Sequence, residues 1–253
     1  MRGGRCADPE SLGGLTDLLQ GCHEPVCVVE REGRLTLATG GDLTFFPEAG
    51  SEAPADALPV FAWAPANQPD RLGDHSFCRD HGLDLPLMCG AMAHGIASPE
   101  MVVTLSRAGM LGSYGAAGQS LGVIGEAIDF MAANRGRAPF CVNLIHSPSE
   151  PEHEEAVVDL LLEKGITLVE ASAYMALTPA VVRYRVKGLR RGEDGNLEIP
   201  NRIIAKASRI EVATRWFSTP PRKMLDELVA TGVLTAEQAT LAERIPMAED
   251  LTA

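Results

Sequence analysis

From Leu85 onward the chain alternates short apolar runs with helix-length amphipathic segments, a pattern that restricts it to parallel α/β architectures. Leu85–Cys89, Met110–Tyr114, Phe140–Ile145, Ile166–Glu170 and Ile203–Ser208 read as strands covered on both faces. Between them lie segments with helix punctuation. Ser98 with Pro99 opens the first, whose Met101, Val102, Leu105 and Ala108 share a face before Gly109 stops it. Ser120 caps a second, with Leu121, Ile124, Ile128 and Met131 at helical spacing. Ser149 to Glu152 fits a capping box for a third, which runs to Gly165. Thr178-Pro179 starts a fourth, ending at Gly188.

Five such strands fit either an open doubly wound sheet or part of a (β/α)8 barrel. A complete eight-fold barrel needs about 250 residues, whereas residues 71–253 supply only about 180. The expected fold class is therefore α/β, a partial (β/α)8 TIM barrel of about five βα units. An insert at 188–201 contains Asp194-Gly195 and reads as an exposed hairpin or long loop. A helical stretch at 219–245 follows, its second helix capped by Thr235 with Gln238.

Residues 1–70 have a different texture and read as a small N-terminal α+β accessory region with a Pro-rich linker. A helix is expected around Ser11–Gln20. Val26–Glu30 and Arg34–Thr39 form a hairpin about Glu32-Gly33. Pro47, Pro54, Pro59, Pro65 and Pro69 mark an extended linker with an apolar patch at Val60–Trp63.

Composition narrows the function classes. A net charge of −12 and only 5% aromatic residues argue against a nucleic-acid binder. Six cysteines without CxxC spacing read as reduced packing residues, and no apolar run approaches a membrane span, so the cytoplasm is the expected location. Between Arg183 and Lys223, eleven Lys or Arg face four acids. That cluster is either a solvated face or a docking surface for an anionic partner.

The candidate site residues lie at strand ends, where parallel α/β folds bind ligands. Gly90-Ala91-Met92 and Gly115–Gly118 follow the first two strands. Such small residues serve either close ligand approach or tight turning, and they lack the GxGxxG pattern of a dinucleotide site. Asn143 is a polar residue within an apolar strand and needs hydrogen-bond partners. Lys206, within IIAKASR, needs an anion: a ligand, or Glu170 at the end of the fourth strand. His94 and His146 also follow strands, while His23, His75, His81 and His153 read as surface residues. No nucleophile elbow, P-loop or metal spacing is present.

The blocks LGDHSFCRDHGLDLPLMCGAMAHGIAS, GMLGSYGAAG, NLIHSPSEPEHEE, VEASAYMALTPAVVRYRVKGL and NRIIAKASRIEVA together resemble the PfaD-type trans-acting enoyl reductases. These serve polyketide and polyunsaturated fatty acid synthases and are similar to the flavin-dependent nitronate monooxygenases (2-nitropropane dioxygenases). The resemblance covers about Leu72–Thr252. It implies a barrel that binds FMN at its C-terminal face and uses NADPH to reduce an enoyl thioester on an acyl carrier protein. By position, Gly90, Ala91 and Met92 would line the isoalloxazine, Asn143 would bond the flavin or its ribityl–phosphate arm, and Lys206 would sit at the N1/O2 edge. Ala171 and Ser172 would approach the ring from the fourth strand. The family's active-site histidine and phosphate loops follow the segment matching PMAEDLT, so the resemblance covers only the N-terminal half. It implies a C-terminal half-barrel polypeptide as partner. Nitronate oxidation and a non-catalytic scaffolding half-barrel are the alternative functions.

Overall fold

The computed structural model describes residues 5–7, 23–43 and 55–252, and the chain divides into two compact units, Met1–Ser76 and Phe77–Ala253. The expected helix at Ser11–Gln20 lies outside the described residues.

The first unit is a four-stranded antiparallel sheet in the order β1-β3-β2-β4, built from β1 (Arg5–Ala7), β2 (Val26–Arg31), β3 (Arg34–Thr39) and β4 (Val60–Ala64). The hairpin forms as its sequence predicts, with Glu32 and Gly33 both at positive φ, as tight two-residue turns require. Val60–Ala64 is a strand beside β2 rather than linker, and Val29 pairs there with Val60. Cys27, Val29 and Ala38 form its small core.

The second unit starts within α1 (His75–His81) and continues through β5 (Met88–Cys89), α2 (Pro99–Arg107), β6 (Leu111–Tyr114), α3 (Leu121–Asn134), β7 (Phe140–Ile145), α4 (Pro151–Glu163), β8 (Leu168–Ser172) and α5 (Pro179–Val186). A small antiparallel hairpin follows, β9 (Arg190–Arg191) and β10 (Leu197–Glu198). Then come β11 (Arg202–Lys206), α6 (Ile210–Trp216), α7 (Arg222–Ala230), α8 (Ala236–Ala242) and β12 (Asp250–Thr252). The hairpin occupies the expected insert.

Six parallel strands stand side by side in chain order, β5-β6-β7-β8-β11-β12. A doubly wound sheet would reverse that order at a switch point; an unreversed order winds in one sense, as a barrel does. The fold is a partial barrel of α/β class, with one strand more than the sequence predicts. Asp250–Thr252 has only Leu251 as an apolar residue, so it carries no strand signature. Its place comes from backbone pairing of Ile204 with Asp250 and Lys206 with Thr252.

Strand alternation divides the core in two. Val142, Leu144, Val169, Ala171, Ile203 and Ala205 turn outward into the helix layer. Their neighbours Cys141, Leu168 and Ile204, with Leu111, turn into the lumen and form its apolar base, against which Phe77 and Cys78 of α1 pack. One step further toward the C-terminal ends, the lumenal positions become Asn143, Glu170 and Lys206.

The helix caps follow from sequence except at α4. Ser98, Ser120 and Thr178 each accept a backbone N–H at the third helical position, and Thr235 with Gln238 closes a full capping box. At α4 the expected box at Ser149–Glu152 does not form. Pro151 occupies the first helical position, so Glu150 becomes the cap and makes no side-chain bond there, while Ser149 falls one residue outside.

Candidate functional site

The two glycine-rich turns pack on each other. Gly95 N–H donates to the Gly115 carbonyl, Gly115 N–H to Ala97, and Ala97 N–H to Met92. A Cβ on Gly115 would overlap the Met92 carbonyl oxygen, and one on Gly118 would overlap the His94 ring. His94 itself is at φ 57°. The Gly115–Gly118 run therefore serves close packing and supports the first turn from behind. Gly90 is different. The nearest atoms to a Cβ there are Glu170 Oε1 at 3.2 Å and Lys206 Nζ at 3.6 Å, so its bare backbone opens onto an ion pair.

Glu170 is the centre of this group. Its side chain is fully buried. Oε2 accepts the Ala91 N–H at 2.6 Å, which ties the β5 turn to β8. Oε1 stands 3.3 Å from Lys206 Nζ, an ion pair with no hydrogen bond, and it is buried without any donor. Lys206 keeps 40% of its side chain exposed. Asn143 Nδ2 donates to the Glu170 carbonyl at 3.0 Å and to Ser172 Oγ at 2.9 Å. Gly90, Ala91, Asn143, Ser172 and Lys206 thus converge on one end of the lumen. Ala171 does not, because its side chain belongs to the helix-side core. Met92 is exposed, and its carbonyl is directed at Gly115.

Of the two partners that Lys206 could have, the structure contains Glu170. In sequence Glu170 reads only as that partner, at a strand end. It sits mid-strand in β8, and its lumenal position follows from the same signal as Asn143 and Lys206: a polar residue at alternate spacing in an apolar run. Ser113, on the lumenal side of β6, is a further polar residue that the sequence reading misses; its hydroxyl is buried beside the Cys141 thiol. Burial, reinforced by the charge of Glu170, pushes the Cys141 thiol well above its ordinary value.

A second polar cluster lies behind the site. Glu154, buried in the first turn of α4, pairs with His146 Nδ1 at 2.8 Å and accepts from Tyr174 OH at 3.0 Å and from Thr178 Oγ1. The His146 ring stacks on Tyr174. Burial, then the Glu154 charge, raises the Tyr174 pKa far above that of a free phenol. A cavity of about 350 Å³ between the N-terminal ends of α3 and α4 reaches from Gly118 to Asn143 and Glu154. Another of about 330 Å³ runs from Lys206 past Tyr174 to Arg209.

One surface reading is corrected. His81 is buried, with Nε2 2.7 Å from Asp250 Oδ2, because α1 plugs the lumen base and carries that ring inward. The basic cluster between Arg183 and Lys223 is mostly neutralised within the fold. Arg183 binds Glu155 and Asp159, buried Arg185 binds Glu249, Arg190 binds Glu198, and Arg222 binds Asp226 and Glu243. Among the described residues the four cysteines Cys27, Cys78, Cys89 and Cys141 are free, no group of side chains could hold a metal, and no helix is long and apolar enough to cross a membrane.

No family model matches the chain. Over 180 residues it is 49% identical to a polyunsaturated fatty acid synthase subunit of Thraustochytrium sp., a match covering 71% of this chain and 12% of the relative. It is 42% identical over 183 residues to the polyketide biosynthesis protein PksE of Bacillus subtilis, covering 72% and 24% respectively. The crystal structure of the enoyl reductase domain of MlnA, from the macrolactin biosynthesis cluster of Bacillus amyloliquefaciens, superposes with a TM-score of 0.69 at 36% identity. Over the matched residues the chain is similar to PfaD-type enoyl reductases. The superposition with MlnA spans 72% of this chain and 42% of that one, so the chain spans less than half of each of these relatives.

Proposed function

We propose that this chain forms the N-terminal half of an FMN-dependent enoyl reductase that acts on enoyl thioesters of an acyl carrier protein, with NADPH as reductant, in polyketide or polyunsaturated fatty acid biosynthesis. The observation that carries this reading is the lumenal group at the C-terminal strand ends: bare Gly90 backbone over the Glu170–Lys206 pair, with Asn143 beside it. The name of the MlnA domain suggests the reaction class, and the names of the synthase relatives the biosynthetic setting.

These residues fit a flavin. A planar ring needs a wall without side chains, which Gly90 provides, and its pyrimidine edge needs polar partners, for which Asn143 and the partly exposed Lys206 are placed, with buried Glu170 holding the Lys206 ammonium. When bound, FMN would relay a hydride from NADPH to the β-carbon of the thioester. The chain's own share is positioning and charge. Lys206 offers a cation to the ring edge that gains electron density, Asn143 and Ser172 hold their strands in register, and the apolar base of Cys141, Leu168 and Ile204 keeps water from below. The remaining strands and the proton donor would come from the other half of the barrel, as a companion polypeptide or on the same one.

The test is turnover by the assembled barrel, this chain with the strands that close it. NADPH consumption that depends on a crotonyl-type thioester is expected. Oxidation of a nitroalkane without thioester reduction would make it a nitronate monooxygenase, and neither activity would leave a scaffolding role.

A further inference from the structure

The α6 helix leaves an apolar stripe without cover. Val212 and Trp216 turn inward to the core, while Ile210, Thr214 and Phe217, spaced at i, i+4 and i+7, share the opposite face. Ile210 is 85% exposed, the most of any large apolar side chain among the described residues, and Phe217 is exposed as well. Met175, exposed in the turn after β8, stands beside the helix, its carbonyl accepting from the Arg215 guanidinium. Ala176, Leu177, Pro221 and Met224 give apolar walls to a groove of about 390 Å³ that adjoins the stripe at Thr214. Surface apolar residues scattered singly are ordinary, but three in one patch beside a groove mark an interaction site.

Position and charge say what covers this patch. The strands that close the barrel add at its free edges, β5 and β12, whereas α6 follows β11, which is paired on both sides. The cavity that starts at Lys206 is lined by Met175, Arg209 and Val212, so the patch borders an entrance to the lumenal site. Residues 206–215 hold Lys206, Arg209 and Arg215 against Glu211 alone, in a chain of net charge −12. Arg209 pairs with Glu211 at the surface, and Arg215 meets no carboxylate among the described residues. An acidic protein is repelled by the chain as a whole and attracted here. We infer that the outer face of α6 from Ile210 to Phe217, with Met175 and Arg215, is the docking surface for the acidic carrier protein whose thioester arm enters beside Lys206. The inference rests on the reductase reading above and fixes the side from which its substrate arrives.

The experiment titrates a fluorescently labelled acyl carrier protein into the assembled barrel and follows anisotropy, so that docking is read without turnover. Ile210→Asp with Phe217→Asp should weaken binding roughly tenfold or more, the range of apolar interface anchors. Arg215→Glu should weaken it too and reduce its dependence on salt. Ile96→Asp, at an exposed apolar residue in the turn after β5, should stay within about threefold of the wild type. No carrier binding by the wild type, unchanged binding in the double variant, or an equal loss in Ile96→Asp overturns the docking surface. A double variant that no longer joins the strands closing the barrel gives the face to them and overturns it as well. Reduction of a free crotonyl-type thioester by the wild type tests the reductase reading separately. If that reduction occurs while the double variant still binds the carrier normally, the docking surface alone falls.

Discussion

Lys206 Nζ and Glu170 Oε1 lie 3.3 Å apart inside the partial barrel, with the carboxylate fully buried and the ammonium half-exposed. The two charges therefore depend on each other unequally. Removing the lysine strands a buried anion, whereas removing both charges strands nothing. Lys206→Met should destabilise the chain by about 1–3 kcal/mol in urea unfolding, toward the lower end because Lys206 is partly solvated. The double variant Lys206→Met with Glu170→Gln should recover most of that loss. A double variant no better than the single one would mean that the pair is not coupled.

Gly115 and Gly122 separate a packing glycine from a permissive one. A Cβ at Gly115 overlaps the Met92 carbonyl, while one at Gly122, in the first turn of α3, meets nothing within 4 Å. Gly115→Ala should lower stability by about 3 kcal/mol or more, since backbone must move. Gly122→Ala should raise it by about 0.5–1 kcal/mol through helix propensity. Thermal melts of the two variants check both signs.

Alkaline pH should unfold the protein cooperatively. All three tyrosines, Tyr114, Tyr174 and Tyr184, are held above the ordinary phenol value, chiefly by burial. The unfolded chain loses these protons near pH 10 and the folded chain does not, so above that pH the folded state binds more protons. Stability is then fully present below about pH 10 and falls by roughly 1.4 kcal/mol per pH unit for each tyrosine until the folded pKa is passed. Absorbance at the tyrosinate band should appear only together with loss of far-UV circular dichroism. Tyrosinate signal in the folded protein near pH 10 would contradict it.

How far the sequence reveals this molecule depends on which residue carries each signal. Strand and helix identities between Leu85 and Ala242 follow for the most part from apolar runs and caps, because burial on both strand faces leaves a continuous apolar signature. Asp250–Thr252 leaves none, since a short edge strand is set by backbone pairing with β11. Two helices, His75–His81 and Ile210–Trp216, are equally silent in the sequence: seven residues are too few to establish a period. At the site, Asn143 and Lys206 are legible as polar residues in apolar strands. Glu170 shows the same signal but reads as a counter-ion alone, and Ala171 enters only through the family resemblance, its side chain belonging to the helix-side core. The Glu154 cluster is hidden, since a glutamate among EHEE on a helix looks solvated until Tyr174 and Thr178 are brought over it.

That the lumenal group around Lys206 holds FMN is tested most directly by flavin titration of the assembled barrel, wild type against Lys206→Met, at matched circular dichroism. One FMN per barrel is expected for the wild type, with affinity weakened by roughly tenfold or more in the variant, the size of a lost charge-assisted contact. Absence of saturable binding by the wild type, or the same affinity in both proteins, would contradict it.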